Sequence, residues 1–111
     1  MGRFAPTPSG RMHLGNVYAL LCAWAHARQN NGQIVLRIED LDPLRCPRAN
    51  ADLIADDLRW LGLDWDKGAY LGKDSENYFQ SNRTEIYQEF LTKLKQDKRI
   101  FPCFCKTSII F

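Results

Sequence analysis

Residues 3–16 read RFAPTPSGRMHLGN, and this stretch decides the fold. Arg3–Ala5 form the end of a predicted short strand, and prolines and a glycine then interrupt regular structure. Apolar residues at helical spacing follow, which predicts a helix over about 15–29. A loop that leaves a strand and enters a helix presents unpaired N–H groups and the positive end of the helix dipole. The stretch therefore predicts a site for a phosphate group.

The segments after this helix extend the pattern to an α/β domain. Asn30-Asn31-Gly32 is a helix stop, and residues 33–38 form a mostly β-branched and aliphatic run that is typical of a buried parallel strand. The further predicted elements are helices over about 49–61 and 82–95, a strand over 100–105, and mostly loop over 63–81. The apolar stripes of these two helices are Ile54, Leu58 and Leu61, and then Ile86, Tyr87, Phe90, Leu91 and Leu94. We therefore expect parallel strands with crossover helices.

The composition is ordinary for one globular domain. The chain has 111 residues, and its net charge of +2 excludes a strongly basic arm, although a local basic face could still bind RNA. The sequence has neither a signal-peptide pattern nor the run of about 20 apolar residues that a membrane helix needs. We therefore expect a cytoplasmic protein without membrane contact, whose four cysteines are thiols or metal ligands rather than disulfides.

Several side chains of the first loop suit a nucleotide. Thr7 and Ser9 offer hydroxyl donors, His13 stands just before the helix and can hydrogen-bond a phosphate, and Gly15 leaves room for a ribose or base. The alternative is a loop that only turns the chain, with Ser9 as a cap and His13 on the surface. The joint presence of strand, hydroxyls, His-x-Gly and helix start favours the nucleotide. The loop matches neither the Walker A pattern nor Gly-x-Gly-x-x-Gly.

Acidic residues follow the second predicted strand, in the segment Arg37–Arg45. Ligands of open α/β sheets bind just outside the carboxyl ends of the strands. Glu39 could there hold an ammonium group, and Arg3 on the neighbouring strand could hold a carboxylate. Together they predict an amino-acid ligand. The alternative is that Glu39 and its acidic neighbours cap turns; a Mg²⁺ site is less favoured, because magnesium often binds through the nucleotide phosphates.

Cys103-Phe104-Cys105 places two thiols on one face of the last predicted strand. Such a pair could be half of a zinc site, because tetrahedral zinc needs four ligands. The alternative is two buried cysteines that flank an aromatic residue.

These motifs together resemble a family. Arg3–Gly10 with His13–Asn16 is similar to the nucleotide-binding signature of class I aminoacyl-tRNA synthetases, specifically the glutamyl group. Residues 37–40, 60–66 and 79–83 extend the resemblance over nearly the whole chain. Residues 8–10, 39–45 and 102–105 look most like the glutamyl-Q branch, a shortened form without an anticodon-binding domain.

The resemblance implies the N-terminal half of a Rossmann-like catalytic domain over 1–111, with a zinc-binding insertion starting at about 100. It implies activation of glutamate by ATP with Mg²⁺, and transfer to a queuosine base in the anticodon loop of tRNA(Asp), by a monomer. The implied glutamate pocket is Arg3, Phe4, Ala5, Pro6, Thr7 and Glu39. The implied nucleotide contacts are Ser9, Gly10, His13, Gly15 and Asn16, of which the last three are catalytic. The implied zinc ligands are Cys103 and Cys105.

The sequence departs from the family pattern at several points. The family signature ends in histidine, whereas this chain has Asn16, which removes one phosphate contact. The sequence contains neither further zinc ligands after Cys105 nor a Lys-Met-Ser-Lys-Ser-type loop, and Ser108–Phe111 is apolar without a helix stop. We therefore expect a fragment that does not form glutamyl-adenylate alone. The alternatives are a fragment of a glutamyl-tRNA synthetase that charges the tRNA 3′ end, and a non-catalytic zinc or RNA-binding module.

Overall fold

The computed structural model describes residues 1–104 and contains a parallel three-stranded sheet. Strand β1 (Gly2–Phe4) pairs with β2 (Ile34–Leu36), and β2 pairs with β3 (Lys67–Gly68). Beyond β2, an isolated parallel bridge joins Ile38 to Phe79. The predicted α/β class with parallel strands is confirmed.

Three α-helices connect and follow the strands: α1 (Leu14–Gln29), α2 (Arg48–Trp60) and α3 (Thr84–Gln96). Two 3₁₀ turns, Ser75–Tyr78 and Gln80–Arg83, precede α3. The predicted helices agree with α1, α2 and α3 to within about two residues, the usual uncertainty of helix ends. Within the described range, no helix has the length and apolar character needed to cross a membrane.

The core lies on one face of the sheet. Phe4 and Leu36 are paired neighbours in the sheet and are fully buried. The face of α2 that packs in this core consists of Ala51, Ile54, Ala55 and Leu58. Because strand residues alternate between faces, Arg3 and Val35 point to the opposite face of the sheet. This second face carries much of the candidate site.

Two glycines permit close packing of the sheet. A Cβ at Gly2 would lie 2.6 Å from the Ile34 side chain and 3.3 Å from Ala27 of α1. Gly68 has a φ of +117°, and a Cβ there would lie 2.0 Å from the Leu36 carbonyl oxygen. Gly68 therefore requires glycine, because the clash would be with backbone atoms and the φ is in the left-handed region, whereas a side chain at Gly2 would force Ile34 and Ala27 to shift.

Arg48 of α2 holds the segment that contains the two 3₁₀ turns. Its guanidinium donates to both carboxylate oxygens of Glu76, at 2.8 and 3.2 Å. The guanidinium carbon also lies 3.5 Å from the ring centroid of buried Phe79, a cation–π contact. The segment is thus fixed to the helix layer at two points.

Strand β3 was not predicted, because it lies within the segment expected to be mostly loop. It has only two residues, which is too short for a periodic signal. Asp66, the residue before β3, holds the start of this strand beside β2. The Asp66 Oδ2 accepts a 2.7 Å hydrogen bond from the Ile34 backbone N–H and lies 2.8 Å from Nη1 of Arg28.

Some predictions about the second half of the chain are wrong. The described part of the predicted strand over 100–105 has no strand structure, and Phe101 and Phe104 are exposed. Leu61 is exposed, and the alanines of α2 complete its buried stripe. No residue of α3 is fully buried, and its apolar stripe is only partly covered within residues 1–104: Tyr87 and Leu91 are half-buried, whereas Ile86, Phe90 and Leu94 are exposed. A pattern of apolar residues shows which face would be buried but not whether a neighbouring element covers it.

The Asp66 contacts predict a dependence of stability on pH. The hydrogen bond from the Ile34 backbone, followed by Arg28, holds the pKa of Asp66 below its ordinary 3.8. A carboxyl whose pKa is depressed on folding stabilises the fold above its unfolded pKa, and this contribution is lost as pH falls through the folded value. We expect the melting temperature of Asp66→Asn to fall less than that of the wild type when the pH is lowered from about 7 to about 3.

Thermal unfolding followed by circular dichroism at both pH values checks this. Asp97→Asn, at an exposed position after α3, is the matched control and should behave like the wild type. An equal acid-induced loss in Asp66→Asn and the wild type would contradict the assignment.

Candidate functional site

The loop after β1 is anchored at both of its flanks. Pro8 is fully buried, and its carbonyl accepts a 3.1 Å hydrogen bond from Nδ2 of Asn50 in α2. The carbonyl of Pro6 accepts a 3.0 Å hydrogen bond from the backbone N–H of Glu39. The loop is therefore positioned by a helix on one side and by the segment that follows β2 on the other.

An open cleft of about 530 Å³ lies along this loop, and we call it the loop cleft. Its lining combines residues predicted for the nucleotide with residues predicted for glutamate. The lining residues are Ala5, Pro6, Thr7, Ser9, Gly10, Arg11, Met12, His13, Asn16, Ala19, Leu20 and Ile54. The structure thus brings most of the predicted site residues into one cavity at the carboxyl end of β1.

His13 is the N-cap of α1. Its Nδ1 accepts a 3.1 Å hydrogen bond from the Gly15 backbone N–H, and its own backbone N–H donates to Oδ1 of Asn16 at 3.3 Å. A neutral imidazole that accepts through Nδ1 carries its proton on Nε2. His13 therefore offers an Nε2–H donor at the helix start, where the dipole also favours an anion.

Gly15 and Asn16 have local roles that the sequence analysis did not predict. A Cβ at Gly15 would lie 3.0 Å from Cε1 of the His13 ring, so glycine leaves room for the capping imidazole. The side-chain oxygen of Asn16 completes the reciprocal cap, and its amide group remains a donor in the lining of the loop cleft.

A second cavity of about 440 Å³ lies on the other face of the sheet, and we call it the arginine cavity. Its lining is polar and carries three arginines. The lining residues are Arg3, Val35, Arg37, Asp74, Asn77, Tyr78 and Arg83. Arg3, predicted as a glutamate ligand, is therefore separated from Ala5, Pro6 and Thr7, which line the loop cleft.

Glu39 connects the two cavities. Its backbone contacts Pro6 of the loop cleft, and its Oε1 lies 3.2 Å from Nε of Arg37, which lines the arginine cavity. That Nε is buried and makes no hydrogen bond of good geometry, so the contact is a charge contact. Arg37 also donates to the Tyr87 hydroxyl at 3.1 Å. The Glu39 carboxylate thus already has a cation beside it.

The neighbouring carboxylates fix the backbone. Buried Asp40 accepts hydrogen bonds from the backbone N–H and the hydroxyl of Ser81, at 3.0 and 2.8 Å. Oδ1 of Asp42 accepts from the backbone N–H groups of Leu44 and Arg45, at 3.1 and 3.3 Å. The capping role considered in the sequence analysis therefore applies to these two aspartates.

Two further sets of predicted residues lie elsewhere. The Phe4 side chain is in the core, so only its backbone could approach a ligand, and its carbonyl already accepts from the Arg37 N–H at 2.8 Å. Cys103 is exposed, and Cys105 lies outside the described residues. Within residues 1–104, no group of three or more histidine, cysteine or acidic side chains could hold a metal ion.

The sequence analysis missed Arg11, whose ion pair with Asp57 joins the loop to α2, and it missed the cavity roles of Asp74 and Arg83. Arg83 stands in a segment that carried the family resemblance, but no local pattern showed which cavity it lines. Only the tertiary structure brings residues 74–83 beside β1 and β2.

The sequence of residues 1–110 matches the family model of tRNA synthetases class I (E and Q), catalytic domain. The chain belongs to this family. The expected membership among the class I tRNA-synthetase ligases is thereby confirmed, and the parallel sheet with its helices is the N-terminal part of their Rossmann-like domain.

Similar proteins from several bacteria support this assignment. A glutamyl-Q tRNA(Asp) synthetase of Symbiobacterium thermophilum is 50% identical over 104 residues, which cover 94% of this chain and 32% of that protein. A glutamate–tRNA ligase of Anaeromyxobacter sp. is 44% identical over 108 residues, 97% of this chain and 23% of that protein. A solved glutamate tRNA ligase of Elizabethkingia meningosepticum, in complex with its amino acid, matches with a TM-score of 0.74 and 35% identity, over 85% of this chain and 19% of that one. This synthetase-family chain spans about a third or less of the length of these relatives.

The cap at His13 predicts a stability effect that is separate from ligand binding. Loss of an N-cap side chain typically costs about 1 kcal/mol, so His13→Ala should lower the free energy of unfolding by about that amount. Asparagine is a good N-cap, so His13→Asn should retain most of the wild-type stability. Urea unfolding curves of the three proteins check this, and an equal loss in both variants would show that the imidazole does not cap α1.

Proposed function

We propose that this chain carries the ATP- and amino-acid-binding part of an enzyme that activates glutamate and transfers it to the queuosine base of tRNA(Asp). The observation that carries the proposal is the loop cleft, where His13 and the first turn of α1 present donors to an anion. The loop of a class I synthetase at this position supports ATP as the anion.

The chemistry of activation needs positioning and charge stabilisation more than a nucleophilic side chain. A carboxylate oxygen of glutamate attacks the α-phosphorus of ATP, the bond to the β-phosphate breaks, and pyrophosphate leaves. A hydroxyl of the RNA then attacks the acyl carbon, and AMP leaves. In the proposed arrangement, Nε2–H of His13 and the hydroxyls of Thr7 and Ser9 donate to phosphate oxygens.

Magnesium would enter on the phosphates of ATP, as it commonly does, with only one or two protein carboxylates. Asp40 and Asp42 accept hydrogen bonds from neighbouring backbone, and residues 1–104 hold no group of three or more histidine, cysteine or acidic side chains that could bind a metal ion. We therefore assign no protein residue to magnesium. For zinc, Cys103 and Cys105 stay a predicted half-site, and no step depends on it.

The acceptor is supported by the relatives. Two proteins named glutamyl-Q tRNA(Asp) synthetase are 50% and 46% identical to this chain, whereas six similar proteins named glutamate–tRNA ligase are 43–45% identical. The second candidate, charging of the tRNA 3′ end, is supported by the solved glutamate tRNA ligase. Transfer of glutamate to the queuosine base and charging of the 3′ end can be distinguished with a tRNA that lacks its 3′-terminal nucleotide, because only transfer to the anticodon-loop base would still occur.

Binding of ATP by the chain tests the nucleotide part of the proposal. In His13→Asn, the asparagine keeps the N-cap, but its amide donor does not lie at the position of the imidazole Nε2–H. Loss of that hydrogen bond to a charged phosphate oxygen should weaken ATP binding roughly tenfold or more. Isothermal titration with ATP and Mg²⁺ measures this. His26→Asn is the matched control, because His26 is exposed on the same helix and does not line the loop cleft.

We expect His26→Asn to bind ATP like the wild type. Equal ATP affinity of the wild type and His13→Asn would show that the His13 side chain does not bind ATP. Failure of the wild type to bind ATP would refute the nucleotide part of the proposed function for this chain.

A further inference from the structure

We infer that Arg11 binds the phosphate chain of ATP in the loop cleft, through the end of its guanidinium that Asp57 leaves unoccupied. The inference rests on the proposed function and deepens it, because it names a further phosphate-binding residue of the same cleft. Arg11 was not among the nucleotide contacts expected from the sequence. It stands two residues before His13, at the end of the loop that leads into α1.

The charge of the loop cleft favours this role. In the proposed arrangement, a neutral imidazole, two hydroxyl groups and the first turn of α1 donate to the phosphates. Within residues 1–104, Arg11 is the only arginine or lysine that lines the cleft, and neither aspartate nor glutamate lines it. Arginine stays charged at any ordinary pH. Arg11 therefore supplies this part of the cleft with a permanent positive charge, which an ATP phosphate chain would attract.

The ion pair with Asp57 occupies only one side of the Arg11 guanidinium. Nε donates to Oδ2 of Asp57 at 3.2 Å, and Nη2 donates to Oδ1. Because a guanidinium carries five N–H groups in a planar fork, Nη1 and the second N–H of Nη2 remain as a parallel pair. Among the described residues, the Arg11 side chain has no second hydrogen-bond or ion-pair partner. The remaining pair of donors has the geometry that binds two oxygens of a phosphate.

Asp57 orients Arg11 without entering the loop cleft. The Arg11 side chain is 68% exposed, whereas that of Asp57 is 22% exposed. Asp57 lines an adjacent groove with Leu14 and Trp60, and it is not part of the described lining of the loop cleft. A phosphate in the cleft would therefore meet the guanidinium rather than the carboxylate. An arginine that is already held in one orientation also loses less side-chain entropy when a ligand binds.

The alternative is that Arg11 has a structural role alone, as one half of an ion pair that joins the loop to α2. Replacement of either partner breaks this pair, so a structural role predicts equal effects of Arg11→Gln and Asp57→Asn. A phosphate-binding cation is lost only in Arg11→Gln. In Asp57→Asn, the guanidinium keeps its charge and no longer has a carboxylate beside it.

Titrations of the 111-residue chain with ATP and with adenosine, both with Mg²⁺ present, separate the phosphate chain from the nucleoside. Chemical shifts measured by NMR give each affinity. We expect Arg11→Gln to weaken ATP binding roughly fivefold or more and to leave adenosine binding unchanged, because an accessible arginine–phosphate pair is lost. Asp57→Asn should bind ATP at least as tightly as the wild type. Arg11→Lys keeps the charge but not the planar fork, so its ATP affinity should lie between those of Arg11→Gln and the wild type.

The salt dependence of ATP binding adds a measurement that a purely structural role would not change. Because salt screens exposed charges, added NaCl should lower the ATP affinity less steeply in Arg11→Gln than in the wild type. Arg59→Gln is the matched control: Arg59 pairs with Asp56 at 2.9 Å on α2, and it does not line the loop cleft. This control should match the wild type in both affinities and in salt dependence.

Three results would overturn the inference. They are unchanged ATP affinity in Arg11→Gln, equal weakening of ATP binding in Arg11→Gln and Asp57→Asn, and equal weakening of ATP and adenosine binding in Arg11→Gln. In each case, weaker ATP binding by His13→Asn would leave the nucleotide part of the proposed function standing. Absence of ATP binding by the wild type would refute both the inference and that part of the proposed function.

Discussion

The parallel pairing of β1 with β2 is the constraint on which the rest of the structure depends. It sets Phe4 beside Leu36 on the face that α2 covers, and both side chains are fully buried. Because strand residues alternate, the same register places Arg3 on the opposite face. One packing requirement, burial of two apolar side chains, thereby determines on which side of the sheet the charged Arg3 side chain lies.

The same register aligns the segments that leave the two strands. The loop after β1 and Glu39 after β2 emerge at one edge of the sheet and are joined by the hydrogen bond between the Glu39 N–H and the Pro6 carbonyl. Buried Asp40 then ties this edge to Ser81. Two cavities result, one on the side of the helix start and one beside residues 74–83, with Glu39 in contact with both linings.

Much of the fold was predictable because it rests on local patterns. The helices were predicted from periodicity and from stops such as Asn30-Asn31-Gly32. His13 was identified as a candidate site residue because it stands just before a predicted helix. Strand β3 was missed because a two-residue strand has no period and depends on contacts of Asp66 with Arg28 and the Ile34 backbone. The strand predicted over 100–105 was wrong in its described part, because alternating residues form a strand only where a neighbouring strand is available to pair.

The sequence by itself determined the class of the fold and the family, and it predicted a phosphate site in the first loop, because each depends on residues close together in the chain. Only the tertiary structure decided which charges remain available. In the folded chain, the Glu39 carboxylate lies beside the Arg37 guanidinium, and the Asp40 carboxylate accepts a hydrogen bond from the Ser81 backbone. Arg83 and Arg3 line the same cavity. Pairing between charges far apart in sequence depends on which face and which edge each strand and turn presents, and that is fixed only when the sheet and its helices pack.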